Sequence, residues 1–233
     1  MNTQWLRQHP KAAGATAAGM GLLAWVLLRA RGYLYIGGER VKVPFKTRHD
    51  LPLKCGSGSS RRRTPPTFIV LHDSVTWNTE GTHAVLTKRG YSTHFSIAWD
   101  GTVFQHLDPA TCRAWHISDH NRGSIGVDFT NPADPNYQSH PKNKHWHKLV
   151  TVKIHGKTLQ RLAATPAQIS SGSSLIRVLA RHFGFKPTAS RDSRVTSNTS
   201  SRTVFSHSQL AANKTDGQAE LVRLLQRNAI QQA

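Results

Sequence analysis

His207, Lys214 and Asp216 lie in one short polar run, F-S-H-S-Q-L-A-A-N-K-T-D from Phe205 to Asp216, just after a plausible strand at Arg202–Phe205. A neutral imidazole and a carboxylate are both good zinc ligands, and a catalytic zinc takes three protein ligands and keeps a fourth position open. His207 and Asp216 are nine positions apart, so simple i, i+4 spacing on a helix face does not bring them together. A loop that folds back would be needed. On this spacing alone a solvated polar loop is the competing reading.

Earlier parts of the chain supply further candidates. Phe68–His72, F-I-V-L-H, is a short apolar run ending in a histidine. His94 sits in S-T-H-F-S-I-A-W-D-G-T-V-F-Q, His116 in A-W-H, and Asp128 in S-I-G-V-D-F. In this order and spacing the pieces resemble the zinc-dependent N-acetylmuramoyl-L-alanine amidases of the type 2 family, which also includes phage lysozyme-amidases and the peptidoglycan recognition proteins. The resemblance runs from about Pro66 to Leu225.

The resemblance implies His72, His207 and Asp216 as the ligands of one zinc ion. Two imidazoles and one carboxylate leave the ion a net positive charge, able to polarise an amide carbonyl and to lower the pKa of a water molecule. The bond at stake is the amide joining the lactyl group of N-acetylmuramic acid to L-alanine. Lys214 matches the lysine of the family's K-x-C or K-T-D, where an ammonium can stabilise a developing oxyanion. Asp128 matches a glutamate of other members and is the expected general base, although one methylene shorter. Phage-type members carry a tyrosine immediately before the histidine that matches His94; here that residue is Thr93, which cannot do the same acid/base work. His94 and His116 would line the cleft in the family pattern. Trp77, Trp115 and Asn121 are candidate walls for sugar or peptide, with a core role as the alternative for the aromatics. His140, His145 and His147 read as a cluster on a mobile surface.

The elements that must position these residues can be read in outline. Ser92–Trp99 and Thr102–Leu107 flank Asp100-Gly101, a strong hairpin signal. Tyr33–Phe45 alternates around Gly37-Gly38 and predicts another hairpin, and Leu149–Leu159 a third around His155-Gly156. Phe68–Leu71 and Ser124–Phe129 read as strands, and Thr82–Arg89 as a short helix. Thr165 followed by Pro166 starts a helix that Gly184 closes, and Gln218–Asn228 is a terminal amphipathic helix. A polar insertion occupies about 131–148, and 188–201 reads as a flexible loop. The fold class expected is α/β, a single domain with a central mixed sheet flanked by helices.

The 233 residues divide into an N-terminal segment at 1–32, a hairpin and linker at 33–65, and the amidase-like domain at 66–233. Ala12 to Leu28 carries no charge and is rich in Ala and Gly, so it reads as a marginal membrane anchor, with a buried or peripheral helix as the alternative. Within the linker, the Arg61–Arg63 run reads as a solvated, polyanion-facing patch. With 31 Lys and Arg against 12 Asp and Glu, the formal net charge is +19, which attracts polyanions such as nucleic acid, lipid headgroups or the acidic polymers of a bacterial envelope. The basic residues are scattered rather than gathered with aromatics in a nucleic-acid motif, so nucleic-acid binding is expected to be non-specific at most. Cys55 and Cys112 form no C-x-x-C pair; two free thiols are the default expectation, and one disulfide is the outcome if the chain is exported.

Together these features predict a monomeric zinc amidase acting on peptidoglycan. Its place would be the cell envelope, periplasmic or membrane-anchored, or the host cytoplasm before release at lysis if a phage encodes it. A non-catalytic peptidoglycan-binding module is the alternative, and a basic nucleic-acid- or polymerase-binding protein the more distant one.

Overall fold

The structure is a computed structural model and describes residues 31–55, 61–190 and 202–232. The segment from Ala12 to Leu28 lies outside them. Among the described residues no helix is long and apolar enough to cross a membrane.

The chain opens with β1 (Gly32–Ile36) and β2 (Glu39–Val43), an antiparallel hairpin whose turn places Gly37 and Gly38 at φ of 67° and 85°. Leu34, Ile36 and Val43 point into the main core, as the two-residue period of a strand requires. Next come β3 (Thr47–Arg48), β4 (Phe68–Asp73), α1 (Thr79–Arg89), β5 (Phe95–Ile97), β6 (Val103–Gln105), a 3₁₀ turn at Ser118–Arg122 and β7 (Ser124–Phe129). A second 3₁₀ turn, Pro135–Tyr137, precedes the hairpin of β8 (Leu149–Ile154) and β9 (Lys157–Leu162). The last elements are α2 (Pro166–Phe183), β10 (Thr188–Ala189), β11 (Val204–Ser206), α3 (His207–Leu210), α4 (Gln218–Gln226) and β12 (Gln231–Gln232).

Six strands form the central sheet in the order β11-β4-β7-β5-β6-β3. β11, β4, β7 and β5 run parallel, whereas β6 is antiparallel to β5, so the sheet is mixed as expected. Parallel strands covered on both faces read as continuous apolar runs. Accordingly Ile69, Val70 and Leu71 of β4 and Ile125 and Val127 of β7 are all fully buried. α2 adds Ile169, Leu175, Ile176 and Leu179 to the core, and α4 adds Leu221, Leu224 and Leu225. Gly172 lets α2 approach closely, because a Cβ there would lie 2.8 Å from the Phe129 ring.

Several expectations change. Thr47–Arg48 is not linker but an edge strand on β6. Arg62 is not a solvated residue: its guanidinium donates to the carbonyls of Cys112 (3.2 Å), Arg122 (2.6 Å) and Ser124 (2.7 Å). Cys55 and Cys112 are joined in a disulfide, with Cα atoms 5.7 Å apart, in place of two free thiols. For Arg62 and the disulfide the reason is the same. The segment before β4 folds back along the 111–113 loop, pairing Arg61 with Cys112 and leaving Arg62 N to donate to the Thr111 carbonyl. Thr188–Ala189, expected within a loop, pairs in parallel with β12, and residues 191–201 lie outside the described residues.

Candidate functional site

In a parallel sheet, side chains past the carboxyl ends of neighbouring strands share one crevice. β4 ends on His72-Asp73 and β7 on Asp128-Phe129, with His72 paired to Asp128 across the strands. β11 ends on Ser206, and His207 follows it directly. His207 starts a helical turn rather than a loop. The Ser206 side chain caps that turn, and Gln209 reaches back to accept from Ser206 N at 2.9 Å.

The fold-back that brings Asp216 to His207 is present. Ser208 N donates to the Asp216 carbonyl at 3.2 Å. Gly217, at φ 81°, lies so close to β4 that a Cβ would sit 2.0 Å from the Leu71 carbonyl oxygen, and its N–H donates to Asp73 Oδ2 at 3.2 Å. Only glycine meets both conditions. As a result, Nδ1 of His72 and Nδ1 of His207 each lie 3.0 Å from the same Asp216 Oδ2. One ligand atom from each of the three residues falls within 4.8 Å of the others, and this is the one such group among the described residues. Two imidazole nitrogens and a carboxylate oxygen converging in this way suit zinc, and these three residues would hold it.

The electrostatics agree with that use. Burial pushes the Asp216 carboxyl up, but hydrogen bonds from His207 and His72 outweigh it and hold the group well below the usual carboxylate range. For His72, burial opposes the charged form, yet Asp216, followed by Asp128 and Asp73, draws its pKa above the ordinary value. Asp128 is buried and its pKa is raised by that burial, which outweighs the pull of His72 and a hydrogen bond from Thr93. Thr93 thus favours the charged form of the neighbouring carboxylate.

The other expected site residues fall in different places. His116 is hydrogen bonded through both ring nitrogens, Nδ1 to His72 Nε2 at 2.9 Å and Nε2 to Ser124 Oγ at 3.0 Å. Asn121 is buried, and its Oδ1 accepts from the N–H groups of His116 (3.0 Å) and Ile117 (2.8 Å), so it braces the His116 loop. His94 lies wholly inside: Gly126 N–H donates to its Nδ1 at 3.0 Å and its Nε2 faces the Cys112 carbonyl at 3.1 Å. Burial, with Arg62 next, lowers its pKa to about 3, so it is neutral. Lys214 is exposed on the loop between His207 and Asp216, with its carbonyl accepting from His155 Nε2 at 2.8 Å. Trp77 is half-buried on the loop after β4, with Tyr137 and His140 at ring separations of 5.3 and 5.2 Å. Trp115 is exposed beneath the Arg113 guanidinium. The histidine cluster is dispersed: His145 stacks on Trp99 at 3.7 Å while His140 packs on Trp77.

Two residues went unnoticed in the sequence. Asp73 and Glu220 are buried behind the site, and Asn131 Nδ2 donates to Glu220 Oε1 at 3.3 Å. Burial and the nearby Asp216 push Asp73 up to about 7; burial and the nearby Asp73 push Glu220 well above its ordinary value. Nothing in their local pattern marks them, because one follows an apolar strand and the other looks like the polar face of a helix. A cavity of about 310 Å³, lined by Arg31, Phe45, Lys46, Ser171 and Ser174 among others, contains none of the site residues.

Residues 62–218 match the family model described as N-acetylmuramoyl-L-alanine amidase. No curated protein sequence matches the chain. Among solved structures it is similar to the amidase LysC of Clostridium intestinale URNW, at 14% identity and TM-score 0.48, with 80% of this chain and 98% of that one covered. It is similar to AmiD of E. coli in complex with an anhydro-N-acetylmuramic acid peptide, at 16% identity and TM-score 0.48, covering 86% and 66%. It is also similar to Drosophila PGRP-LB, at 11% identity and TM-score 0.49, covering 80% and 95%. Likenesses this faint add nothing to the family match. That match takes in every strand from β4 to β11 and the loop that folds back to Asp216, and the chain belongs to the N-acetylmuramoyl-L-alanine amidase family.

Proposed function

We propose that this protein is a zinc-dependent peptidoglycan hydrolase that cuts the amide between N-acetylmuramic acid and L-alanine, acting at the cell envelope of a bacterium or as a phage lysis enzyme. The observation that carries the reading is the convergence of His72, His207 and Asp216 at the carboxyl end of the parallel strands. When bound there, zinc would supply a Lewis acid at the amide carbonyl. Asp128, on the strand beside His72, is the general base, and burial raises its proton affinity. Lys214, on the loop between two of the ligands, places a positive charge where the carbonyl oxygen gains negative charge. Trp77 and Trp115 offer aromatic faces for sugar or peptide, and the excess of basic residues draws the chain to the acidic polymers of the wall.

A second reading, a module that binds peptidoglycan without cutting it, is favoured by one feature: the family's tyrosine is replaced by Thr93 and its glutamate by the shorter Asp128. The experiment that decides is hydrolysis of isolated peptidoglycan by the full chain, followed as new L-alanine amino termini. It is run as purified, after chelation and after zinc is restored. Activity lost on chelation and regained with zinc is the expected result. A folded, zinc-loaded chain that binds peptidoglycan and releases no L-alanine termini would overturn hydrolysis and leave the binding module.

A further inference from the structure

His116 was expected in the wall of a cleft, yet neither of its ring nitrogens is free for a substrate. Its Nδ1 lies 2.9 Å from His72 Nε2 and its Nε2 3.0 Å from Ser124 Oγ. The positions of the hydrogens follow from the order of the groups. With a zinc ion on His72 Nδ1 in place of the hydrogen that Asp216 accepts, the ring's remaining hydrogen is on Nε2 and donates to His116 Nδ1. His116 Nδ1 is then an acceptor, its own hydrogen is on Nε2, and that hydrogen goes to the Ser124 hydroxyl.

The surroundings hold this chain in place. Asn121 fixes the backbone on both sides of the His116 carbonyl by accepting from the N–H groups of His116 and Ile117. Below the ring, Gly126 leaves the space the imidazole needs, since a Cβ there would stand 2.9 Å from His116 Nδ1 and 3.0 Å from Cγ. Ser124 begins β7, and its carbonyl accepts from Arg62 at 2.7 Å. Thus the far end of the chain is tied to a half-buried guanidinium.

We infer that His116 is a positioning residue, which with Ser124 holds the His72 imidazole in the orientation and tautomer that place Nδ1 among the metal ligands. This rests on the zinc reading of the site given above. Partners of this kind on the outer nitrogen of a ligand histidine contribute about 10–100-fold to metal affinity.

The test is zinc affinity of the full chain, by competition with a chromogenic chelator, for wild type and for His116→Ala, His116→Gln, Ser124→Ala and His207→Ala. Wild type is expected to bind one zinc and His207→Ala to lose it. His116→Ala is expected to bind about 10–100-fold more weakly. His116→Gln should recover most of that loss, because its amide oxygen can accept from His72 while its amide nitrogen donates to Ser124. If His116→Ala does not fold, Ser124→Ala carries the test, with about tenfold weaker binding expected. A residue that only contacts substrate would behave otherwise: KM would rise in His116→Ala while zinc affinity stayed at the wild-type value. That outcome, or unchanged affinity in Ser124→Ala, overturns the inference and leaves the zinc reading intact if His207→Ala still loses the ion. A wild-type chain that binds no zinc overturns both.

Discussion

Asp128 and Glu220 are both buried carboxyls, and their neighbours give them different consequences. Asp128 lies across from His72 with Thr93 donating to it, at the mouth of the ligand set. On the proposed role, Asp128→Asn keeps the shape and removes the base, so kcat is expected to fall by roughly 10²–10⁴-fold while zinc content, measured by metal analysis, stays at one per chain. Glu220 faces Asp73, Asp216 and Asn131, and its Oε2 has no hydrogen-bond partner among the described residues. Its folded pKa lies above the ordinary value of 4.5, so its contribution to stability is complete below that value and is lost as pH rises through the folded pKa. Glu220→Gln removes the ionisation and keeps an oxygen for Asn131. Urea unfolding should find variant and wild type close at pH 4, with the variant more stable by about 1–3 kcal/mol at pH 8. An equal difference at both values would contradict the buried-carboxyl account. The contrast also marks how far the sequence can be read. That His72, His207 and Asp216 come together was legible because each stands beside a recognisable strand or motif. Glu220 was not, since its burial depends on β4 packing against a helix far along the chain.

At the scale of elements, the turn at Gly217 sets the site more strictly than any helix. Its φ of 81° and the 2.0 Å approach of a Cβ to the Leu71 carbonyl mean that any side chain must displace β4 or the Asp216 loop. Gly217→Ala is expected to lower the thermal midpoint and to empty the proposed zinc site, with strain of about 1–3 kcal/mol before any displacement. Gly156→Ala is the control: that residue is at φ 78° in the β8–β9 turn, with nothing within 4 Å of its Cβ, so it should feel only the backbone strain and keep its metal. Hairpins and helix starts were readable from local chemistry, as with Thr165-Pro166, where a full capping box forms with Gln168. What Gln168 does beyond the cap was not. Its amide nitrogen donates to the Ile97 and Thr130 carbonyls, both at 2.8 Å, and its oxygen accepts from the Trp146 indole at 3.2 Å. One residue thus ties α2 to the ends of two strands and to the 131–148 insertion, a link that no local window contains.

At the scale of the whole molecule, the disulfide and the charge act on different states. Cys55 and Cys112 are 57 positions apart, and closing a loop of that length removes chain entropy from the unfolded state worth about 4 kcal/mol. Denaturation with and without reductant should show a loss approaching that size; a negligible change would mean that the reduced chain keeps the 55–112 region together when unfolded. Charge bears on the folded surface. Among the described residues three acidic side chains, Asp73, Asp128 and Glu220, are buried, so the described exterior is more basic than the composition alone suggests. The separation of the ligands along the chain has a consequence for the order of folding. His207 and Asp216 meet across nine residues, but His72 reaches Asp216 across 144. Closing the longer loop costs about 2.5 kcal/mol more in chain entropy, so that contact waits for the intervening strands to dock. In refolding, far-UV circular dichroism should therefore recover before zinc uptake. A chain interrupted between β7 and β11 would carry five of the six strands of the central sheet and no complete ligand set, which makes the site a report that the rest of the fold is finished.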